Sequence, residues 1–333
     1  MPLALRLPSL SRHFPGLLAA ATVAVAATFL SEHYGGPVML YALLLGMAFN
    51  FLSLDGACVD GIATASKLVL RVGVALLGMR ITFDQITQLG VGVPLLMTGA
   101  VAATILGGLV MGRLLGQGRA FAVLTGGAVA ICGASAALAI AAMLPRGVKA
   151  ERDTIFTVIG VTALSTIAMV LYPMICGWLG LDDLSSGIFL GGTIHDVAQV
   201  VGAGYSISPQ TGDTATFVKL FRVALLLPVV LMVGLAFGRR AGEGDKPPLL
   251  PPFLVVFALL VTVNSLVAVP AGLALAVNSV SRWCLVAAIA ALGMKTSLKA
   301  MAELGPRPIL LLVGETVLMA GLVLAALGWG NVI

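Results

Sequence analysis

The sequence predicts an all-α polytopic membrane protein with about 9–11 transmembrane segments, arranged as inverted repeats around two discontinuous or re-entrant glycine-broken helices. Three observations predict it. Of 333 residues, 59% are hydrophobic and 10% charged. Soluble domains carry about 25% charged residues, so this chain lacks a polar coat for a water-facing surface. Apolar stretches of spanning length recur along the chain, giving a mean hydropathy of +1.09. Two glycine-rich stretches interrupt that pattern, and one of them carries His195 beside Asp196.

A spanning helix needs about 20 apolar residues. Residues 1–35 hold a basic leader and a first apolar run, read as a retained helix rather than a cleaved signal peptide because spanning segments follow at once. Charge-free runs occupy residues 14–31, 36–54, 91–112, 120–145 and 154–181, and shorter or interrupted ones lie near 62–79, 184–206, 216–238, 283–294 and 308–330. The run 247–281 holds a span beginning at Pro251 and Pro252, with a break around Pro270 and Asn278. The segments leave no room for a soluble domain, so residues 1–333 read as one membrane domain, which the repeats described next mark as a transporter's. A first repeat is placed at 37–180 and a second at 185–330. Its surroundings are a lipid bilayer. A nucleic-acid partner is excluded, because the net charge of +5 comes from scattered Lys and Arg.

An internal echo supports the repeats. "LLGMRITFDQITQLG" (76–90) aligns without gaps to "ALGMKTSLKAMAELG" (291–305), pairing Arg80 with Lys295, Thr82 with Ser297 and Gln88 with Glu303. A weaker echo pairs "GGAVAICGASA" (126–136) with "GGTIHDVAQVV" (191–201). Such internal symmetry is a signature of secondary transporters. Charge then constrains direction. If every segment crosses, the cluster Arg146, Lys149 and Arg152 falls outside, against the positive-inside rule. If 121–144 and 185–206 are instead re-entrant, the cluster moves inside and fifteen of the nineteen Lys and Arg lie there. Helices that unwind yet still cross remain the alternative.

Irregular backbone at membrane depth leaves amides and carbonyls unpaired, and survives only where protein, water or a solute satisfies them. Gly126, Gly127, Cys132, Gly133 and Ser135 in one cluster, and Gly191, Gly192 and Thr193 in the other, are therefore read as a cradle for a small anion at half-helix N-termini. Close packing through small residues is the plainer alternative. On a helix, His195 and Gln199 share a face at i, i+4, and Asp196 neighbours Gln199, so the three read as one polar cluster. His195 and Asp196 are the candidate proton-coupling pair. Lys219 and Arg222, at i, i+3, are read as neutralising the anion, with snorkelling to the interface as the competing account. Lys67 and Arg71, near Asp55 and Asp60, read as a salt-bridged interfacial start. Glu315 stands alone in the last apolar run. Cys58, Cys132, Cys176 and Cys284 read as buried free thiols, and with the histidines far apart no metal or other cofactor is expected.

Together "GGAVAICGASAALAIAAMLP", "GGTIHDVAQVVGAG" and "VKLFRVALLLPVV" resemble the YeiH-like family of bacterial inner-membrane proteins described as sulfate exporters. "LLGMR" and "ALGMK" match its turns, and the resemblance runs from about residue 37 to 330. It implies the cation:proton antiporter and anion transporter superfamily, with a central site between inverted repeats. The expectation is a non-enzymatic transporter of a small anion, sulfate or a related sulfur oxyanion, with a coupled proton or cation. Cation:proton antiport through Asp196 is the alternative, followed by a membrane-embedded enzyme or a receptor. The sequence leaves substrate, direction and oligomeric state open, homo-oligomers included.

Overall fold

The computed structural model describes residues 10–145, 148–237, 251–267, 269–296 and 306–328. The helices are α1 (Leu10–Tyr34), α2 (Val38–Ala48), α3 (Val59–Thr64), α4 (Leu70–Leu76), α5 (Phe83–Gln88), α6 (Gly92–Leu114), α7 (Arg119–Ala130), α8 (Ala134–Ala141), α9 (Val148–Leu179), α10 (Asp183–Thr193), α11 (Val197–Ile207), α12 (Pro209–Ala224), α13 (Leu226–Ala236), α14 (Pro252–Leu266), α15 (Ala271–Lys295) and α16 (Pro306–Gly328). Among the described residues, seven helical stretches are long and apolar enough to cross a membrane. Phe14, Leu95, Leu106, Leu171 and Trp178 lie on the outside, while Thr104, Thr125, Thr166, Lys219 and Arg222 are inside. That inversion of the soluble pattern is what a hydrocarbon solvent selects.

The chain forms two compact units, one of residues 1–80 and 256–297 and the other of residues 81–255 and 298–333. The boundary between the expected repeats, at 180–185, falls inside the second unit. In the first unit, glycines set close helix contacts: Gly46 of α2 lies against Ala290 and Gly293 of α15, and Gly16 of α1 against Cys58 and Gly61. A π turn over Ala65–Val69 joins α3 to α4. Asn50 donates to the carbonyls of Met294 and Thr296 at the end of α15. Two expectations change here. Asp60 pairs with Arg12 of α1 rather than with Lys67 or Arg71. No break occurs at Asn278: Pro270 precedes the first turn of α15, where a missing N–H costs nothing, and the helix then runs unbroken to Lys295. In the sequence echo, Arg80 follows a short 3-10 turn whereas Lys295 ends the long helix α15; residues 297–305 lie outside the described residues, as do Arg146 and the loop 238–250.

The second unit is organised by two helical hairpins. In the first, α7 packs antiparallel to α6, with Gly112 against Ala122 and Gly126 against Ile105. The chain breaks at residues 131–133 and α8 turns back, bringing Ile140 against Gly127. A cavity lined by Gly118, Phe121, Ala141, Leu144 and Asp153 marks where the start of α7, the end of α8 and the start of α9 lie together. In the second hairpin, Thr211 at the start of α12 donates to Asp183 at the start of α10. Gly187 meets Thr214, and Gly191 meets Ala215 and Val218, so α10 runs parallel to α12. Only Ser208 separates α11 from α12, and Gly204 packs on Gly212, so α11 runs antiparallel to it. Both elements therefore re-enter rather than cross.

They enter from opposite faces. Contacts along α9 give the order of depth: Phe156 with Phe121, Val161 with Gly133, Ser165 with Asp196, Thr166 with Gln199, and Tyr172 with Phe189. The first hairpin thus descends along the first half of α9 and the second rises along its second half. The tips meet near the middle of a helix about 48 Å long. Limbs of 12 and 11 residues reach about 16–18 Å, close to half the hydrocarbon thickness. Arg113, Arg119, Lys149, Arg152 and Arg307 all belong to helix ends on the first hairpin's face, whereas Asp182 and Asp183 lie at the second's.

Candidate functional site

The site is the contact between the two tips. Neither double glycine is the break point: α7 continues helically through Gly126 and Gly127, and α10 through Gly191 and Gly192. These four are packing positions, with Gly191 tight on α12 and Gly192 on Met97 of α6 and Val323 of α16. Thr193 is likewise turned inward to its own helix, donating to the Phe189 carbonyl. The anion cradle expected at these five residues is therefore corrected. Small residues let the limbs pack, and the breaks fall a turn later, at 131–133 and 194–196. Gly133 does mark its break, since its φ of +61° is open only to glycine at low cost.

Each break strands the carbonyls that end a limb, and those carbonyls carry the negative end of a half-helix dipole. Lys219 and Arg222 of α12 meet them. Lys219 donates to the carbonyls of Ile131 (2.6 Å) and Ile194 (2.9 Å), one from each tip. Arg222 donates to Val129 and Ala130 of the first hairpin, and to Gly191 (2.9 Å) and Ile194 (3.1 Å) of the second. Both side chains are fully buried. The sequence expectation gave these cations directly to an anion; the structure gives their N–H groups to backbone carbonyls, which carry no signature in the sequence.

His195, Asp196 and Gln199 do not form one cluster. The chain is not helical at 194–196, so the i, i+4 spacing does not apply and each side chain leaves in its own direction. His195 is fully buried and bridges hairpins and spans: Nδ1 faces the Val129 carbonyl at 3.1 Å, and Nε2 faces the Thr316 hydroxyl of α16 at 3.0 Å. A carbonyl only accepts, so Nδ1 carries hydrogen. Asp196, half-buried, caps α11 by accepting from Ala198 N–H (2.8 Å), while its own N–H donates to Ser165 of α9. Gln199 donates to Thr166 (2.7 Å), and its buried carbonyl oxygen has no partner among the described residues.

The second limbs begin at these tips. No side chain caps α8; Cys132 is buried ahead of it, and Ser135 in its first turn is exposed. Cys176 is also buried, while Cys58 and Cys284 are half-buried. Thr125, Ser165, Thr166 and Thr316 also take part, and nothing in the sequence singles them out. Hydroxyls in apolar helices read as neutral because most return their hydrogen to the carbonyl four residues back, as Thr316 does to Leu312.

Paired re-entrant hairpins opposed at mid-membrane define a class, the polytopic α-helical membrane proteins whose irregular backbone is held in the bilayer interior by protein contacts. Within it the chain belongs to the family described as Conserved hypothetical protein 698, whose model matches residues 15–312. It is 58% identical over 322 residues to a UPF0324 membrane protein of Chlorobaculum tepidum, covering 96% of this chain and 90% of the relative. A UPF0324 membrane protein of Rhizobium meliloti is 55% identical over 96% of this chain and 93% of its own length. The UPF0324 membrane protein TauZ of Paracoccus pantotrophus is 56% identical over 94% of each chain.

Proposed function

We propose that the protein is a secondary transporter of a small anion, sulfate or a related sulfur oxyanion, which it moves without chemical change and in exchange for or together with protons. The observation that carries this reading is the mid-depth meeting of two hairpin tips with Lys219 and Arg222 between them. Broken helices at this depth are a device by which transporters present backbone groups to solutes. Half-helix C-termini carry about −0.5 charge and N-termini about +0.5. With both bases protonated, two full cations oppose two C-termini and the Asp196 carboxylate, while two N-termini add to the positive side. The tip region is left about one charge positive, which favours an anion. The uncapped first turn of α8, beside Ser135, supplies the amides for its oxygens, and Lys219 and Arg222 act at one remove by cancelling the carbonyl ends. His195 takes the coupling proton. The opposed hairpins and the Arg80/Lys295 echo fit an inverted repeat, from which alternating access would follow. By the positive-inside rule the first hairpin enters from the cytoplasm.

In proteoliposomes, labelled sulfate is expected to accumulate saturably, unaltered and with a rate that depends on pH. Ser135→Leu, which covers the α8 amides, is expected to lower the rate about tenfold, the loss of roughly one charge-assisted hydrogen bond. His195→Ala is expected to flatten the pH dependence. Sulfate entry no faster than in protein-free vesicles would sink the assignment. Cation–proton exchange at Asp196 is the second reading, favoured by the half-buried position of that carboxylate at the tip. Flux that follows a sodium or potassium gradient whatever the anion would select it.

A further inference from the structure

Glu315 lies one residue before Thr316 on α16 and is fully buried, yet it belongs to neither hairpin tip. One carboxyl oxygen, Oε1, lies 2.8 Å from the Thr125 hydroxyl of α7. The other, Oε2, is buried with no partner among the described residues. Gly108 of α6 and Gly126 of α7 flank the carboxyl group, and a methyl at Gly108 would run into Oε1. Two helices have thus left out side chains where this group sits. Gly108, Thr125 and Gly126, which lie against it, are not titratable.

The hydroxyl facing Glu315 has a second acceptor. Thr125 Oγ1 also lies 3.2 Å from the Phe121 carbonyl and 3.3 Å from that of Ala122. With Glu315 ionised, Thr125 turns its hydrogen to Oε1. With an O–H bond formed at Oε1, the acid donates to Thr125, which returns its hydrogen to a helix carbonyl. The proton comes from water, and the side chain changes from −1 to neutral. His195 has the same arrangement. Thr316 Oγ1 lies 3.0 Å from Nε2 and 2.8 Å from the Leu312 carbonyl. A neutral ring accepts from Thr316, and a doubly protonated ring donates to it while Thr316 donates to Leu312. Either state of either group keeps its hydrogen bond. Lys219 and Arg222 of α12 and the neighbouring Asp196 are the charged groups around His195.

We propose that Glu315 is a second proton-binding site, with its own hydroxyl relay through Thr125, distinct from the His195–Thr316 contact on the same stretch of α16. Only its use in transport rests on the anion-transporter reading; proton binding can be measured without a substrate. The test is infrared difference spectroscopy of the purified full-length protein between acid and alkaline pH. A carboxylic-acid carbonyl component that rises as pH falls and is missing from Glu315→Gln is expected when the two proteins' difference spectra are compared, the other acidic side chains contributing to both. Thr125→Val, which keeps the carboxyl group, is expected to shift the band's frequency, giving a readout should Glu315→Gln fail to fold. Identical carbonyl bands in the native protein and Glu315→Gln, or a Glu315 component whose frequency ignores Thr125→Val, overturn the site. Failure of sulfate flux with the band intact would instead count against the transport reading alone.

Discussion

Arg222→Met is expected to leave little stably folded protein, the largest effect of any single side-chain replacement in the second unit. The native guanidinium joins four carbonyls, two from each hairpin, through five N–H···O contacts. Methionine fills much of the volume but satisfies none of them. Each stranded buried acceptor costs about 1–3 kcal/mol, and the two limb dipoles then oppose one another end to end without a counter-charge. A loss of several kcal/mol corresponds to a fall in Tm of more than about 10 °C, taking roughly 2–4 °C per kcal/mol. Arg222→Lys is expected to fall between, because one ammonium keeps the charge but lacks the planar fork that reaches both tips. Thermal unfolding of purified variants checks the order; a methionine variant within about 2 °C of native would mean that the cation does not hold the hairpins together.

The adjacent glycines of the second hairpin are expected to respond unequally. At Gly191 an added methyl meets the Ala215 carbonyl oxygen and comes within 2.9 Å of Val218 Cβ, both fixed parts of α12. Gly191→Ala must therefore push α10 away from α12, dragging the Gly191 and Ile194 carbonyls off Arg222. At Gly192 the same methyl meets the end of Met97, 3.0 Å from Cε, and a methionine terminus can move aside. We expect Gly191→Ala to cost about 2–3 kcal/mol by overpacking and Gly192→Ala less than about 1 kcal/mol. The same stability measurement decides it, and equal effects would contradict the packing described here.

Much of the second unit was legible in the sequence for one reason. Glycine pairs and a His-Asp dipeptide are conspicuous in an apolar chain, and the charge at Lys149 and Arg152 favoured re-entry over crossing. The place of each break was not legible, because Gly126 and Gly191 serve packing while the chain turns at Cys132 and His195. Lys219 and Arg222 were found as residues but given the wrong first partner, since a backbone carbonyl leaves no trace in a sequence. Gln199 was grouped with His195 by helical spacing that does not exist across residues 194–196. Glu315 stood out by charge alone; its setting depends on Thr125, 190 positions away in the chain, and no local pattern reports that.

The measurement that bears most directly on the architecture is sided labelling of single cysteines, with Cys58, Cys132, Cys176 and Cys284 replaced. Probes at Gly118 and Pro145 flank the first hairpin, and probes at Asp183 and Ile207 flank the second. Re-entry predicts that a membrane-impermeant thiol reagent reaches both members of each pair from one side, and that the two pairs answer from opposite sides. Gly118 reacting from one side and Pro145 from the other would mean that the first element crosses, and the tip-to-tip site would no longer stand.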